Sequence, residues 1–395
     1  MNNLIYNLIL GICASFLYLS CSEEPIRYEL EIGAIESFRL DADSLSYFRS
    51  YRSSPEMGLS NLYYGKQSGY SDIYSLIELN AISPLFFLDT TWTSDSSGYN
   101  VLIDSIFFSI QVDTFTLSPR LFYFSGNGDT SIFSQDSSSY YTIDSNLVVS
   151  EVGGLPDIVN SFYQFSILNF FENILLDTLN TQSFTFKISG VDDSETLVQF
   201  SDPKIEIHYL RNNFIHGEFD SVWIDTLQNS MLAKSKLTIV NPGIWDEEEN
   251  SYSIGRAKGL KSIVNFNLDT LSTLPEKIIF IDADLYLSHD PDPTYNGFKI
   301  LGYPVIDSIN FEMFDLETKD STKIEQTFGI TSYSLTSSES NAVFNVRDYL
   351  NYIYLDQLEN FGLQLSSSLV NDPFKVVTFT SESNPYILIR YVRSN

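Results

Sequence analysis

Cysteine, histidine and basic residues are scarce in this chain of 395 residues. It has 2 cysteines, 3 histidines and 22 Lys+Arg against 51 Asp+Glu, which gives a formal net charge of -29. This excess of negative charge repels phosphate groups and anionic lipid head groups, so nucleic acid is disfavoured as a partner. The sequence also lacks His and Cys at zinc-ligand spacing and has no glycine pattern of a nucleotide-binding loop.

Aromatic residues, in contrast, are abundant. The chain contains 25 Tyr and 30 Phe, and aromatic residues make up 15% of it. Such side chains supply the buried area that offsets the entropy lost on ordering, so a folded chain is predicted. At about 150 residues per domain, the length suits two or three domains.

The N-terminus has the composition of an export signal. Residues 1–20 contain no Asp, Glu, Lys or Arg, and an apolar stretch ends at Ser20 and Cys21. The alternative is an uncleaved membrane helix, but the apolar stretch is slightly shorter than the ~20 residues that a span requires. A cleaved signal peptide over residues 1–20 is therefore predicted.

The segment Leu17-Tyr18-Leu19-Ser20-Cys21 resembles the lipobox of bacterial lipoproteins. The resemblance implies that Cys21 is lipid-modified and that residues 21–29 form a tether to the outer membrane of the cell envelope. Glu23 and Glu24 resemble a surface-export signal of such lipoproteins, although a solvated tether would have the same composition. Cys13 would leave with the signal peptide, so the mature chain would have no disulfide and would rely on packing of its core.

Three short blocks recur in the same order along the chain. The segment that begins at Ser75 matches the one that begins at Ser262, the segment at Ile103 matches the one at Ile281, and the strand ending in Tyr209 matches the one ending in Tyr391. The respective offsets are 187, 178 and 182 residues. Common order and similar offset predict two copies of one unit, over residues 30–212 and 215–395.

Within these units the hydrophobic pattern has a period of two. Ile205, Ile207 and Tyr209 alternate with polar residues, and the segment 387–391 repeats this pattern. Turn-forming stretches such as 95–98, 125–129 and 241–243 separate the runs. The predicted fold class is all-β, with two tandem antiparallel β-sandwich domains of the jelly-roll kind. A short helix or turn is expected at 157–171 and 346–357.

The unit resembles the DNRLRE-type domain, a β-sandwich module of exported bacterial proteins. The resemblance lies in the opening Ser-Ile-Val-x-Phe at Ser262, the strand 282–287, and the closing order of a Ser-containing turn, a Pro and a strand ending in Tyr391. In the second copy the segments 345–349 and 360–363 also match, whereas the first copy lacks the glycine after Asn180. Some relatives of that domain are carbohydrate-binding modules, so the resemblance implies a fold and allows carbohydrate binding.

The sequence offers no catalytic constellation. None of His208, His216 and His289 lies near a Gly-x-Ser-x-Gly elbow, and solvated surface positions are expected for them. Glycoside hydrolysis needs only two carboxylates at a defined separation, so a polysaccharide-degrading hydrolase remains an alternative.

Two kinds of binding site are candidates. Asp290 and Asp292, or the acidic run 246–249, could bind Ca²⁺ through oxygen ligands, although Asp and Pro favour turns without any metal. Sugars pack on exposed aromatic rings, and the chain has Trp92, Trp223 and Trp245. Trp245, beside Asp246 and Glu247, is the best candidate platform, with a ring at the edge of the core as the alternative.

These observations together predict a non-enzymatic, lipid-anchored protein of the cell envelope. Its role is predicted to be carbohydrate binding or scaffolding at the outer membrane or cell surface. A purely structural or protein-contact role is the other non-enzymatic alternative. Partners other than the membrane would then be a polysaccharide or an envelope protein.

Overall fold

The computed structural model describes residues 34–57, 61–79, 98–124, 149–175, 184–191, 195–215, 218–244, 251–274, 278–380 and 385–393. Cys21, Trp92 and Trp245 lie outside these residues. Strands dominate and all strand pairs are antiparallel, so the prediction of an all-β fold is confirmed.

The strands follow one another along the whole described chain. They are β1 (Glu36–Leu40), β2 (Leu45–Arg52), β3 (Leu62–Gly65), β4 (Tyr70–Leu79), β5 (Gly98–Val112), β6 (Pro119–Phe124), β7 (Val149–Glu151), β8 (Asp157–Val159), β9 (Phe162–Ser166), β10 (Phe184–Gly190), β11 (Leu197–Ile215), β12 (Glu218–Pro242), β13 (Ser251–Ile254), β14 (Leu260–Phe266), β15 (Ile278–Ser288), β16 (Lys299–Pro304), β17 (Thr331–Ser334), β18 (Asn341–Asn345), β19 (Leu363–Ser367), β20 (Val377–Thr380) and β21 (Tyr386–Arg393). The described residues also contain two α-helices, α1 (Leu168–Leu175) and α2 (Arg347–Tyr354).

One strand order occurs twice in the molecule. The ten-stranded sheet has the order β7-β6-β10-β4-β12-β11-β5-β9-β8, with β3 beside β4 and β11. The C-terminal sheets have the orders β17-β16-β19-β14-β2 and β1-β21-β15-β18, and β13 pairs with β20. Joined end to end through β2 and β1, these two orders match the order from β7 to β9 in the ten-stranded sheet, and β8 has no counterpart among the described strands of the C-terminal sheets.

The register of the strands repeats as well. In the ten-stranded sheet, β5 lies between β9 and β11, and Phe108 is opposite Phe165. In the C-terminal sheets, β15 lies between β18 and β21, and Leu285 is opposite Phe344. All four side chains are buried. A helix follows β9 and β18 in both cases, as α1 and α2.

One long strand, β12, lies between β4 and β11 of the ten-stranded sheet, whereas two shorter strands, β2 and β1, occupy the equivalent position in the C-terminal sheets. The first part of β12 pairs with β11 and its last part pairs with β4. In the C-terminal sheets, β1 pairs with β21 and β2 pairs with β14, with a short 3-10 turn at Ala42–Ser44 between them. We call β1, β2 and this turn the arm. The arm is therefore the counterpart of β12.

This pairing departs from the predicted boundaries. The arm belongs by sequence to the predicted unit 30–212, yet it hydrogen-bonds to strands of the unit 215–395. Likewise β12 belongs to the second unit and hydrogen-bonds to β4 and β11 of the first. The alternating pattern predicts that a segment is a strand. It does not predict which strand that segment pairs with, because two similar units present two similar neighbouring strands.

Buried apolar residues form two main clusters. The first core lies around Phe108, Phe165 and Phe186, and Met231 and Ala233 of β12 pack against it. The second core lies around Leu285, Phe344 and Phe379, and it includes Leu40 and Phe48 of the arm. Each core thus contains side chains donated by the other predicted unit.

A smaller cluster joins the two cores. Phe374 is 6% exposed and lies against Tyr63 and Tyr70, with ring centroids 5.1 and 5.4 Å apart and edge-to-face geometry. Met57, which follows the arm, and Val240 of β12 belong to the same cluster. The ends of the two exchanged segments therefore meet at this junction.

The two predicted helices have different outcomes. The expected segment 346–357 contains α2, which confirms a helix there. The expected segment 157–171 is mostly strand, because β8 and β9 occupy residues 157–159 and 162–166 and α1 begins only at Leu168. Within the described residues, neither helix has the length and apolar character that a membrane span requires.

Candidate functional site

A cleft of about 490 Å³ opens on the outer face of the C-terminal sheet that contains β14, β16 and β19. Pleating places Lys261 of β14, Gln364 of β19 and Tyr303 of β16 on this face, because their neighbours Ser262 and Leu365 point into the second core. Polar side chains make up much of its wall. The lining residues are Ser54, Glu56, Gly255, Arg256, Gly259, Leu260, Lys261, Tyr303, Ile324, Gln326, Ile330, Gln364, Ser366, Ser367 and Leu369.

The segment just after the arm contributes to this cleft. Ser54 and Glu56 belong to the predicted first unit, whereas the strands that form the floor belong to the second. Ser54 is fixed by backbone hydrogen bonding, because its N–H donates to the carbonyl of Thr318 at 2.9 Å. The cleft is therefore built from both predicted units.

One ion-pair network lies at the bottom of the cleft. The Lys261 ammonium lies 2.8 Å from Asp320 Oδ2 and 2.9 Å from Glu56 Oε1. Asp320 Oδ2 also accepts hydrogen bonds from the Tyr51 hydroxyl at 3.0 Å and from Gln364 Nε2 at 3.1 Å. Asp320 Oδ2 is thus held by one cation and two neutral donors, and Oδ1 accepts the backbone N–H of Thr322 at 2.9 Å.

The ionisation of the network follows from these contacts. Burial by itself would raise the pKa of Asp320, but the Lys261 ammonium outweighs it and lowers that pKa below its ordinary value. Burial opposes the charge of Lys261, but Glu56 and Asp320 together raise the pKa of the lysine. Both groups are therefore charged at neutral pH. Burial raises the pKa of Tyr51, and the negative charge of Asp320 raises it further. The Tyr51 hydroxyl group therefore stays protonated and donates its hydrogen bond.

Arg256 forms another part of the cleft wall. It is 8% exposed, and its Nη2 donates to the carbonyl of Asn371 at 2.7 Å. Its Nε has no hydrogen-bond partner in the described part of the chain. Burial lowers the pKa of Arg256, against the opposing effects of Tyr63, Glu56 and Asp372. A guanidinium keeps its charge despite such a shift.

A second cleft of about 440 Å³ lies beside the junction of the two cores. Its lining includes Tyr63, Gln199, Val370, Asn371 and Phe374. Residue Leu369 lines the first cleft and Val370 lines the second, and these two apolar side chains are 68% and 82% exposed. An exposed apolar loop therefore separates the two clefts.

Most of the sequence-predicted ligand sites lie outside the described residues. Cys21, Trp92 and Trp245 lie outside the described residues, as does the acidic run 246–249. Trp223 lies in β12, opposite Asn213 of β11. The platform at Trp245 stays a prediction.

The two predicted calcium ligands lie at a turn. Asp292 caps a short 3-10 helix, since its Oδ1 accepts from the N–H of Thr294 at 2.7 Å, and this contact lowers the pKa of Asp292. Asp290 is exposed. Among the described residues, no group of three His, Cys, Asp or Glu side chains is placed to hold a metal ion. Calcium binding at this turn stays a prediction.

The predicted surface position of His289 is wrong. Its side chain is 3% exposed and lies against Tyr295 and Phe379, because β15 ends at the margin of the second core. Its Nδ1 lies 3.0 Å from the carbonyl oxygen of Asp290. His208 is half-buried in β11, and His216 lies outside the described residues.

Another pair of carboxylates lies on the outer face of β15. Burial, with the negative charge of Asp282 as second cause, raises the pKa of Asp284. Asp282 forms an ion pair with Arg390. On the same face, the rings of Tyr286 and Tyr386 are nearly parallel, with centroids 4.6 Å apart. These rings stack on each other, and Arg39 covers Tyr386, so the stack does not present two coplanar faces to a sugar.

The sequence carries no pattern that distinguishes the residues of the cleft from other polar residues. Lys261 and Gln364 are polar positions in alternating strands, which is the signal of any solvated strand face. Asp320 comes from a loop more than fifty residues away in the chain from β14. Comparison of the sequence with protein-family models and with curated proteins gives no match.

Proposed function

We propose that the protein is a non-enzymatic, lipid-anchored protein of the cell envelope that binds carbohydrate in the cleft around Tyr303 and Gln326. In this proposal Cys21 carries the lipid at the outer membrane, and two jelly-roll-like β-sandwich units follow the tether. The sandwich-like sheets and the repeated strand order support the architecture. The lipobox-like segment ending at Cys21 supports the anchor.

The polar lining of the cleft is the observation that carries the binding proposal. Gln326, Ser366 and Ser367 bring amide and hydroxyl groups to one concave surface, beside the half-buried ring of Tyr303. Amides and hydroxyls both donate and accept hydrogen bonds, as the hydroxyl groups of a sugar require. The volume of about 490 Å³ lies within the range of small-molecule sites, about 300–1,000 Å³.

The charge state of the cleft favours binding over hydrolysis. A glycosidase needs a carboxylic acid with a raised pKa to protonate the leaving oxygen. The carboxylate among the lining residues, Glu56, is paired with the Lys261 ammonium at 2.9 Å. Asp320, which lies behind Lys261 and Gln364, has a lowered pKa, and its Oδ2 already accepts from Lys261, Tyr51 and Gln364. The carboxyl group with a raised pKa, Asp284, lines neither described cleft.

A glycan-array screen of the chain starting after Cys21, run with calcium and again with chelator, tests the binding proposal. We expect a specific hit that Tyr303→Ala and Gln326→Ala each weaken by about tenfold or more, since each removes a ring or hydrogen bonds from the cleft. Tyr386→Ala, which changes a tyrosine outside the cleft, is the matched control. A hit lost only in Trp245→Ala would move the site to the predicted platform, and loss with chelator would support calcium at Asp290 and Asp292.

The exposed loop between the clefts favours a second function, protein contact. Leu369 and Val370 are adjacent, apolar and largely exposed. Exposed apolar patches commonly mark protein-protein contacts. No glycan hit from the folded protein, with loss of an envelope protein partner in the Leu369→Ser/Val370→Ser variant, would support this function and contradict carbohydrate binding.

Anchoring is tested separately. Mass spectrometry of the membrane fraction should find lipid on Cys21 and no residues before it. In Cys21→Ser the protein should leave the membrane fraction. Recovery of an unmodified Cys21 in the membrane fraction would contradict the lipid anchor.

A further inference from the structure

The arm completes the second core, and β12 completes the first core. Leu40 and Phe48 of the arm are 2% and 7% exposed and lie in the second core, whose other strands belong to β13–β21. Without the arm, β14 and β21 would each lose an antiparallel neighbour. Without β12, β4 and β11 of the ten-stranded sheet would lose theirs.

A buried polar cluster marks the position of the arm. Ser50 Oγ of β2 lies 2.8 Å from Ser262 Oγ of β14. Ser50 Oγ accepts the N–H of Ser253 at 2.7 Å, and Ser262 Oγ donates to the carbonyl of Ser253 at 2.9 Å. These three residues are at most 6% exposed. The arm thus satisfies a backbone group of β13 inside the protein.

An equivalent cluster marks the position of β12. Thr238 Oγ1 of β12 lies 3.0 Å from Ser75 Oγ of β4. Thr238 Oγ1 accepts the N–H of Tyr63 at 3.1 Å, and Ser75 Oγ donates to the carbonyl of Tyr63 at 2.9 Å. Ser75 is the sequence counterpart of Ser262, and β3 is the structural counterpart of β13. Both clusters therefore have the same design, and in both the donated strand comes from the other repeat.

We propose that each core carries a strand-binding site whose partner is the first strand of the other repeat, so that the molecule is a tethered pair of strand-exchanged repeats. The hydroxyl group at position 50 or 238 fixes the register of the donated strand, because a shift by one residue would point it to the opposite face. The two repeats are interlocked, and the covalent link between them is not what holds them together. This inference does not depend on the proposed carbohydrate function.

Cutting the link between the repeats tests the proposal on the whole protein. A protease site is inserted at 216–217, between β11 and β12, and complete cleavage is checked on a denaturing gel. We expect the two fragments to remain a 1:1 complex in native mass spectrometry and gel filtration, and to unfold in urea together. Fragments that separate in native buffer, or unfold in two independent transitions, would overturn the proposal. The uncut protein with the same inserted site is the control.

Hydrogen exchange in point variants gives a second, independent readout. Ser50→Ala should accelerate amide exchange in β13 and β14 by about tenfold, although the residue belongs to the first repeat. Thr238→Ala should do so in β3 and β4. Ser37→Ala, on the exposed side of β1, should leave both regions unchanged. Acceleration confined to the repeat that carries each substitution would contradict strand exchange.

Discussion

The side-chain oxygens of Ser50 and Ser262 lie 2.8 Å apart, although the residues are 212 positions apart in the chain. Ser50 also accepts the backbone N–H of Ser253, so this N–H depends on the arm for its hydrogen bond. An unsatisfied buried donor destabilises the folded state more than an exposed one. The stability of the second core is therefore linked to a residue near the start of the described chain.

The first prediction concerns this buried hydroxyl group. Ser50→Ala should lower the free energy of unfolding by about 1–3 kcal/mol, because the N–H of Ser253 loses an acceptor. Ser37→Ala, on the exposed side of the arm, should change it by less than about 0.5 kcal/mol. Urea unfolding followed by circular dichroism measures both. Equal effects of the two substitutions would show that the buried hydroxyl group contributes nothing specific.

A glycine that packs against the end of the arm gives the second prediction. Gly259 has φ +67°, and a Cβ there would lie 1.9 Å from the carbonyl oxygen of Ser53. Gly259→Ala should lower the free energy of unfolding by about 3 kcal/mol or more, because positive-φ strain of about 1–2 kcal/mol adds to this clash with backbone. Gly297→Ala is the matched control, since Gly297 has φ +77° but open space around its Cβ position. Gly297→Ala should lower the free energy of unfolding only by the positive-φ strain. A similar decrease for both substitutions would contradict the close approach of Gly259 to the carbonyl oxygen of Ser53.

The ion pair beneath the cleft gives the third prediction. Asp320→Asn should destabilise the protein at neutral pH by about 2–3 kcal/mol, because Lys261 loses a buried carboxylate and Tyr51 and Gln364 lose a charged acceptor. Urea unfolding measures this change. Glu56→Gln should have a smaller effect, since the side chain of Glu56 is 53% exposed against 7% for Asp320.

The same pair predicts a pH dependence of stability. The folded-state pKa of Asp320 is lowered, so its contribution is complete above the ordinary pKa of about 4 and is lost as pH falls through the lowered value. The pKa of Lys261 is raised, so its contribution is complete below about 10.4 and is lost as pH rises through the raised value. Urea midpoints should therefore fall more steeply below pH 4 in the wild type than in Asp320→Asn. Parallel acid profiles would contradict the assignment.

The junction between the cores gives a further prediction. Phe374→Ala should lower the free energy of unfolding by about 3 kcal/mol, because it removes a buried ring from contact with Tyr63 and Tyr70. Phe374→Leu should cost less than about 1.5 kcal/mol, since it keeps most of the apolar volume. Thermal unfolding of both variants provides the comparison. If Phe374→Ala costs as little as is expected for Phe374→Leu, the buried ring does not stabilise the junction.

The repeat and many of the strands could be predicted from the sequence because side-chain alternation is a local signal. Ile205 and Ile207 are buried in β11, and Ile387 and Ile389 are buried in β21, as the period of two predicts. The exchange of the arm could not be predicted in this way. Ser50 and Thr238 are ordinary polar positions in their own segments, and only the pairing of distant strands makes them equivalent.

The candidate site was less accessible to sequence analysis. Its main groups come from β14, β19, the segment after the arm and the loop that carries Asp320. No motif joins these segments, because the cleft arises from their convergence in the fold. Trp245, which the aromatic pattern favoured, remains a separate prediction outside the described residues.

The pairing of β1 with β21 determines how the molecule responds to mechanical tension. Glu36 is the first residue of the arm and pairs with Tyr391, while Leu40 pairs with Ile387. A pull on the residues before Glu36 loads the Glu36–Tyr391 end first, so the hydrogen bonds between β1 and β21 would break one after another and not all at once. Because β2 and Glu56 follow in the same segment, continued pulling would reach the wall of the cleft next. A tether at this end would make the cleft sensitive to force.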